Sequence, residues 1–484
     1  MPEDKINYEK LKFKAGLEIH QQLDTNKLFC NCPSFLRQDK PDFEFRRKLH
    51  VVAGESGEVD AAAKYQASLD KEFIYEGYKE NSCLVEMDEE PPHEINKEAL
   101  TIAVQIALLL NCEILPITQI MRKTVIDGSN TSGFQRTVLI AHSGFVETGY
   151  GKVKIASVCL EEDAARPSGE NDSNSKRYKL DRLGIPLIEI ATDPDIKNAE
   201  QAKEVALHIG DILRSSKVKR GLGTIRQDVN VSIDRHPRIE IKGFQDVKMF
   251  VPVIENEVKR QEENLKNGKN IQKEVRNALP NGKTEFLRPM PGADRMYPET
   301  DLPLLKISRD FINEAKKTLP KLNSEVEEEL AKKGLNQDMI KILFKEKKLD
   351  YFKELLLILD NVNLVAKVIL IYVKDIASKN KKTQEEVEDI LKEAIPTILE
   401  AVRDKKLEEG KIKDVLEKIV QGQSVKDALF VEKKDLNLVE EEVVKIIKSK
   451  PGLNANAYMG LVMAAMKGKV DGKTAMELIQ KHLK

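Results

Sequence analysis

The sequence has no tryptophan, and aromatic residues make up only 5% of its 484 positions. Charged residues reach 33%, leaving a Lys- and Glu-laden surface of the kind seen in heat-adapted proteins. Five cysteines in so long a chain exclude a disulfide framework. Cys30 and Cys32 form a C-x-C pair, but Cys83 lies far along the chain and a closed zinc site usually needs four ligands. Free thiols in a reduced compartment, and no zinc, are therefore expected. No apolar run approaches the roughly 20 residues of a bilayer span, and the opening segment MPEDKINYEKLKFK has no apolar leader core. The expectation is a soluble cytoplasmic protein without a membrane partner. A formal net charge of -1 gives no general pull toward nucleic acid, so any RNA contact must come from local patches.

The length implies two or three domains. From about residue 10 to about 300, short alternating or apolar runs are punctuated by Gly, Pro and Asn, the pattern of an α+β fold. Strands are expected at Lys12 to His20, Val153 to Leu160, Ile185 to Ala191, Ile225 to Ile233 and Arg238 to Ile241. Regular βα alternation is absent, which favours an antiparallel or mixed sheet. Helical spacing marks Glu98 to Leu110, and a second helix opens at Asn198 with Gln201 completing a capping box. After Leu304, amphipathic Lys/Glu-rich helices take over, including the span Thr383 to Lys405. The expected division is a catalytic domain over 1–304, an all-α linker over 305–365 and a helical tail domain over 366–484.

Acidic residues concentrate where core strands are expected. In Gly16-Leu17-Glu18-Ile19-His20, alternation puts Glu18 and His20 on one face and Leu17 and Ile19 on the other. Glu161, Glu162 and Asp163 end an apolar run, Glu189 stands alone inside another, and Arg226 to Asn230 alternates. A mid-strand Glu is costly to bury unless it is paired or ligated. Glu18, His20, Glu162, Glu189 and Asp228 could converge as oxygen and imidazole ligands for Mg²⁺ or Mn²⁺; equally, the acids could pair with Arg and Lys from neighbouring strands. The run Asp127 to Arg136, DGSNTSGFQR, could present backbone N–H groups to phosphate between Lys123 and Arg136, or be an ordinary hairpin loop. The basic stretch Lys217 to Gly223 leads directly into Arg226. None of these is a P-loop or a Rossmann fingerprint.

Taken together, AGLEIHQQLDTNKLFC (15–30), CLVEMDEEPP (83–92), MRKTVIDGSNTSGFQRT (121–137), CLEEDAARP (159–167), LDRLGIPLIEIATDPDI (180–196), VKRGLGTIRQDVNVSI (218–233), RIEIKG (238–243) and LRPMPGADRMYPETDLP (287–303) resemble the GatB/GatE family of tRNA-dependent amidotransferases. The likeness is to the archaeal GatE proteins first and to the GatB proteins more distantly. The resemblance implies a cradle similar to glutamine synthetase, using ATP to phosphorylate the γ-carboxyl of glutamate on tRNA(Gln) before ammonia displaces phosphate. It implies Glu18, His20, Glu162 and Glu189 as ligands of Mg²⁺, and Glu161 and Asp228 at a second or adjoining site open to Mn²⁺. Lys123, Ser132, Gln135, Arg136 and Arg226 would face the nucleotide. It also implies an asparaginase-like glutaminase partner, GatD, in a heterotetramer, with Glu-tRNA(Gln) gripped by the tail domain. GatE proteins carry an insertion domain before the RPMPGADRMYPETD motif, where this chain has only about Asn267 to Asn270. Two other readings stand beside this one: an inactive tRNA-docking protein, and a two-metal nuclease or phosphatase.

Overall fold

The computed structural model describes residues 6–53, 57–59, 61–169, 174–221, 223–244, 246–269, 271–290, 295–429, 436–466 and 472–483. The chain forms two compact units, Met1–Val326 and Glu327–Lys484.

The first unit is built on an eleven-stranded sheet. Ten of its strands form a continuous path: β1 (Lys14–Gln22), β2 (Ile120–Thr124), β3 (Phe134–Val146), β4 (Val153–Glu162), β5 (Pro186–Thr192), β6 (Ile225–Ser232), β7 (Ile239–Lys242), β8 (Glu274–Ala278), β9 (Thr284–Pro289) and β10 (Met296–Pro298). Their spatial order is β9-β8-β7-β6-β1-β5-β4-β3-β2-β10. Neighbours run antiparallel except β7 and β8, which are parallel. The sheet is thus antiparallel-dominated, as the missing βα alternation implies, and all five expected strands lie in it.

Alternation decides the two faces. Leu17 and Ile19 of β1, Ile188 and Ile190 of β5, and Val229 and Val231 of β6 are at most 2% exposed and share one core. Helices α1 (Lys97–Leu109), α2 (Ala199–Ser215) and α3 (Phe250–Lys266) cover that face with Ala103, Ile106, Val205, Ile209, Val253 and Val258. Burying each such aliphatic side chain contributes about 1.5–3 kcal/mol. The opposite face carries the polar residues and opens on a cavity. At α2, Asn198 accepts from the Gln201 N–H at 2.8 Å, but Gln201 Oε1 accepts from Lys197 N–H, one residue before the cap. The expected reciprocal box is therefore displaced by one position.

A smaller sheet (Phe43–Arg47, Glu72–Gly77, Ser175–Lys179, Arg166–Pro167) braces the loop between β2 and β3. Tyr75 and Tyr178 donate their hydroxyls to the carbonyls of Gly128 and Asp127 at 2.9 and 2.8 Å. Gly128 has φ +91, and a Cβ there would stand 2.1 Å from the Phe73 ring, so only glycine fits.

The second unit is helical, with a buried cluster that includes Val439, Val443, Tyr458, Val462 and Ile479. The periodic span after Thr383 is two helices, Gln384–Leu391 and Ala394–Arg403. The second restarts just before Pro396, because proline is tolerated only in a first turn. Thr383 and Glu386 cap the first reciprocally.

Candidate active site and a second polar cluster

On the open face, strand register sets the chemistry in rows. His20 lies between Arg226 on β6 and Glu189 on β5, and Glu189 is followed by Cys159 on β4. Glu18 pairs with Asp228 on one side and Ala191 on the other. His20 Nε2 stands 3.1 Å from Glu189 Oε2 and 3.6 Å from Glu18 Oε1, and one ligand atom from each residue falls within 4.8 Å of the others. Lys123 Nζ reaches Glu161 at 3.1 Å and Glu189 at 3.9 Å, and Gln135 Nε2 donates to Glu161 at 3.1 Å.

The electrostatics separate the two carboxylates of this cluster. Burial and the charge of Glu189 push Glu18 above the usual carboxylate range, against the pull of His20 and Lys242. Burial opposes ionisation of Glu189 as well, but the His20 hydrogen bond and the Lys123 charge hold it at about 2. For His20, burial disfavours the imidazolium; the hydrogen bond and charge of Glu189, with Glu18, outweigh it and raise the pKa. An acid with a raised pKa beside one with a depressed pKa is the asymmetry found at functional sites.

Glu18 and His20 lie on a cavity of about 1340 Å³ lined also by Lys123, Gln135, Glu161, Arg226 and Asp228 among others. Three of its cations are already partnered. Lys123 holds Glu161, Arg226 holds Asp163 at 3.0 Å, and Lys242 sits between Asp228 and Glu240. Arg288 on β9 and Arg295 also line the cavity, and neither has an ion-pair partner among the described residues. Nothing in RPM or DRM distinguishes a free guanidinium from a paired one, so the sequence alone does not single them out. Residues 291–294 of the RPMPGADRMYPETD motif lie outside the described residues.

Three expected site residues are placed elsewhere. Glu161 and Glu162 are neighbours on β4, so their side chains leave opposite faces. Glu162 is 6% exposed and meets Arg136 at 3.3 Å rather than Glu18 or His20. Arg136 also binds Glu299 at 2.8 Å. Ser132 turns its hydroxyl onto the Phe134 carbonyl at 3.0 Å. Ser132, Arg136 and Glu162 share a small pocket on the other side with Phe29, Cys30 and Glu86. For Glu162 the ion-pair reading of the strand acids describes the geometry, and the five-residue convergence reduces to Glu18, His20 and Glu189, with Asp228 adjoining.

That second pocket holds another convergence. Cys83, distant in sequence, joins the C-x-C pair together with Glu86, and one ligand atom from each of the four lies within 4.8 Å of the others. The expected shortage of ligands is thus not what the fold presents, because the fourth donor is a carboxylate three residues after Cys83.

With this geometry in view, the chain can be placed. Residues 13–313 match the GatB/GatE catalytic domain, and the chain belongs to that family. Within it, the chain is similar along its length to archaeal proteins named as the E component of glutamyl-tRNA(Gln) amidotransferase. It is 36% identical to that of Methanocaldococcus jannaschii, with 99% of each chain covered, and 35% identical to that of Pyrococcus abyssi, with 96% of this chain and 94% of the relative covered. The first alignment runs over 631 positions while this chain has 484 residues, so at least 147 positions of the relative (631 less 484) have no counterpart here.

Proposed function

We propose that this chain is the kinase and transamidase component of a tRNA-dependent amidotransferase, converting Glu-tRNA(Gln) to Gln-tRNA(Gln) with ATP and ammonia. The observation that carries the reading is the Glu18–His20–Glu189 cluster beside Lys123–Glu161 on an open-faced sheet, in a chain whose relatives are named as the E component of glutamyl-tRNA(Gln) amidotransferase. A glutamine-synthetase-like cradle is part of the reading, supported by the antiparallel sheet with its acidic open face.

A carboxylate is a poor acyl electrophile. In the proposed reaction its γ-carboxyl oxygen bonds to the terminal phosphorus of ATP as the bond to ADP breaks. Ammonia nitrogen then bonds to the acyl carbon, phosphate leaves with the C–O bond pair, and a proton is lost. Two carboxylates and one imidazole suit a hard divalent cation. Glu18, His20 and Glu189 would hold Mg²⁺, which when bound offsets negative charge on the phosphates. Arg288 and Arg295, which form no ion pair among the described residues, would meet phosphoryl oxygens, while Lys123, Gln135 and Arg226 complete the polar wall. The cavity exceeds the ~300–1,000 Å³ of a single small-ligand site, leaving room for a nucleotide and the aminoacyl end of tRNA.

Ammonia is assigned to an asparaginase-like glutaminase partner in a heterotetramer. The helical region is assigned as a linker over 305–365 and a tRNA-gripping tail over 366–484. A cytoplasmic location accords with a role in translation; no described helix is long and apolar enough to cross a membrane. The test is amide formation on mischarged Glu-tRNA(Gln) by the purified chain with ATP, Mg²⁺ and ammonium chloride. Gln-tRNA(Gln) and ADP in equal amounts are expected. ADP without amide, or amide without ATP, would overturn the assignment.

A further inference from the structure

Glu161 and Asp228 are the acids expected at a second cation site, and each is held by a lysine. Lys123 takes Glu161 at 3.1 Å. Lys242 takes Asp228, and the strand register shows how closely it is fitted there. Ile239 and Ile241 of β7 are fully buried in the core, so alternation sends Glu240 and Lys242 to the open face. Val229 pairs with Ile241 and Asn230 with Glu240, a register that brings Lys242 beside Asp228. Asp228 in turn lies opposite Glu18 on β1, and Lys242 opposite Asn277 on β8. Glu18, Asp228, Lys242 and Asn277 thus form one row across four strands, and all four line the cavity. Lys242 Nζ stands 2.5 Å from Asp228 Oδ2 and 2.7 Å from Glu240 Oε1. The side chains of Asp228 and Glu240 are only 9% and 16% exposed, so solvent ions do little to screen the group.

We infer that Lys242 is a positioning residue that takes the place of a second divalent cation, closing Asp228 and Glu240 to a free ion and keeping the open face to one Mg²⁺ per chain. The inference rests on the cation site proposed above, at Glu18, His20 and Glu189, and adds how many ions the face accepts. Two carboxylates around one point, with Glu18 on the next strand, are the oxygen-rich set that a hard divalent ion takes. Directly opposed residues of an antiparallel pair have Cβ atoms about 4.5–5.5 Å apart, which puts the Asp228 and Glu18 carboxylates within reach of a common ion. The ammonium pre-empts that arrangement. An ion entering there would have to displace a cation that is tethered to β7 and bound through two charge-assisted hydrogen bonds, and would then meet its repulsion. Lys242 acts through Asp228: it supplies one fixed positive charge to the row and keeps that carboxylate off the ion at Glu18.

The test counts Mn²⁺ bound to the full chain without nucleotide or tRNA, read from the electron spin resonance of the ion left free. Wild type is expected to bind one Mn²⁺. Lys242→Met, which keeps the apolar stem and removes the charge, is expected to bind two. Lys242→Arg, which keeps a cation, is expected to stay at one, and Lys242→Met combined with Asp228→Asn is expected to return to one. A lysine that merely held the strands together would change stability in the variants and leave the count alone. Two ions on wild type overturn the inference and leave the cation site standing, and that measurement needs no variant to fold. One ion on folded Lys242→Met overturns it as well. No ion on wild type or on any variant overturns the cation site itself, and this inference with it.

Discussion

Replacing Glu18 with glutamine should make the metal-free protein slightly more stable while nearly abolishing its activity. The donor oxygens of Glu18 and Glu189 lie within 4.8 Å of one another, where two unit charges repel by about 3.5 kcal/mol at an effective dielectric near 20. His20, 3.6 Å from Glu18, and Lys242 return part of this, leaving a net cost on the order of 1 kcal/mol for the ionised carboxylate. The raised pKa of Glu18 has the same sign: its charge opposes folding at neutral pH. Glutamine keeps the shape and removes the charge. Without Mg²⁺ the melting temperature of the first unit should rise by about 2 °C. With ATP and Mg²⁺, loss of an ionic donor should cost about 100-fold in kcat, near 2.7 kcal/mol. The assay pairs scanning calorimetry in chelator with ADP release on Glu-tRNA(Gln). Activity within about twofold of wild type would remove Glu18 from the cation site. A melting temperature several degrees lower would refute the repulsion argument.

Arg295→Ala should lower kcat/KM for ATP by about 10-fold to 100-fold and leave thermal stability unchanged, since Arg295 has no carboxylate partner among the described residues; loss of stability with intact kinetics would reverse that assignment. Glu299→Ala should do the opposite. Its carboxylate is fully buried between Arg122 and Arg136, and leaving two guanidiniums uncompensated should cost about 3–5 kcal/mol in chemical denaturation of the first unit. In the helical unit, burial opposes ionisation of Glu346, but hydrogen bonds from Lys348 and Lys374 hold it near about 2. A depressed folded pKa gives stability that is present above about pH 4.5 and lost as pH falls toward about 2. Glu346→Gln should flatten that slope in denaturation midpoints of the helical unit.

Whatever rests on nearest neighbours along the chain is legible in one dimension. Period-two alternation puts Leu17 and Ile19 in the core and Glu18 and His20 on the opposite face, and it locates the five expected strands. Helical spacing locates α1 and α2, though not which backbone N–H Gln201 accepts from. The motif set is enough for the family. Contacts that depend on register between strands far apart in sequence are another matter. Glu189 meets His20 because β1 pairs with β5, and Glu162 turns away from Glu18 because it follows Glu161 on a strand whose other face points away from the cavity. Arg136 looks free beside a glycine-rich loop and is neutralised by Glu162 and Glu299, the latter 163 residues away. Cys83 and Glu86 join the C-x-C pair across more than 50 residues. Side-chain alternation is local, so it survives in the order of residues; the pairing of charges and sulfurs across the fold is a property of packing, and only the folded chain brings those atoms within bonding distance.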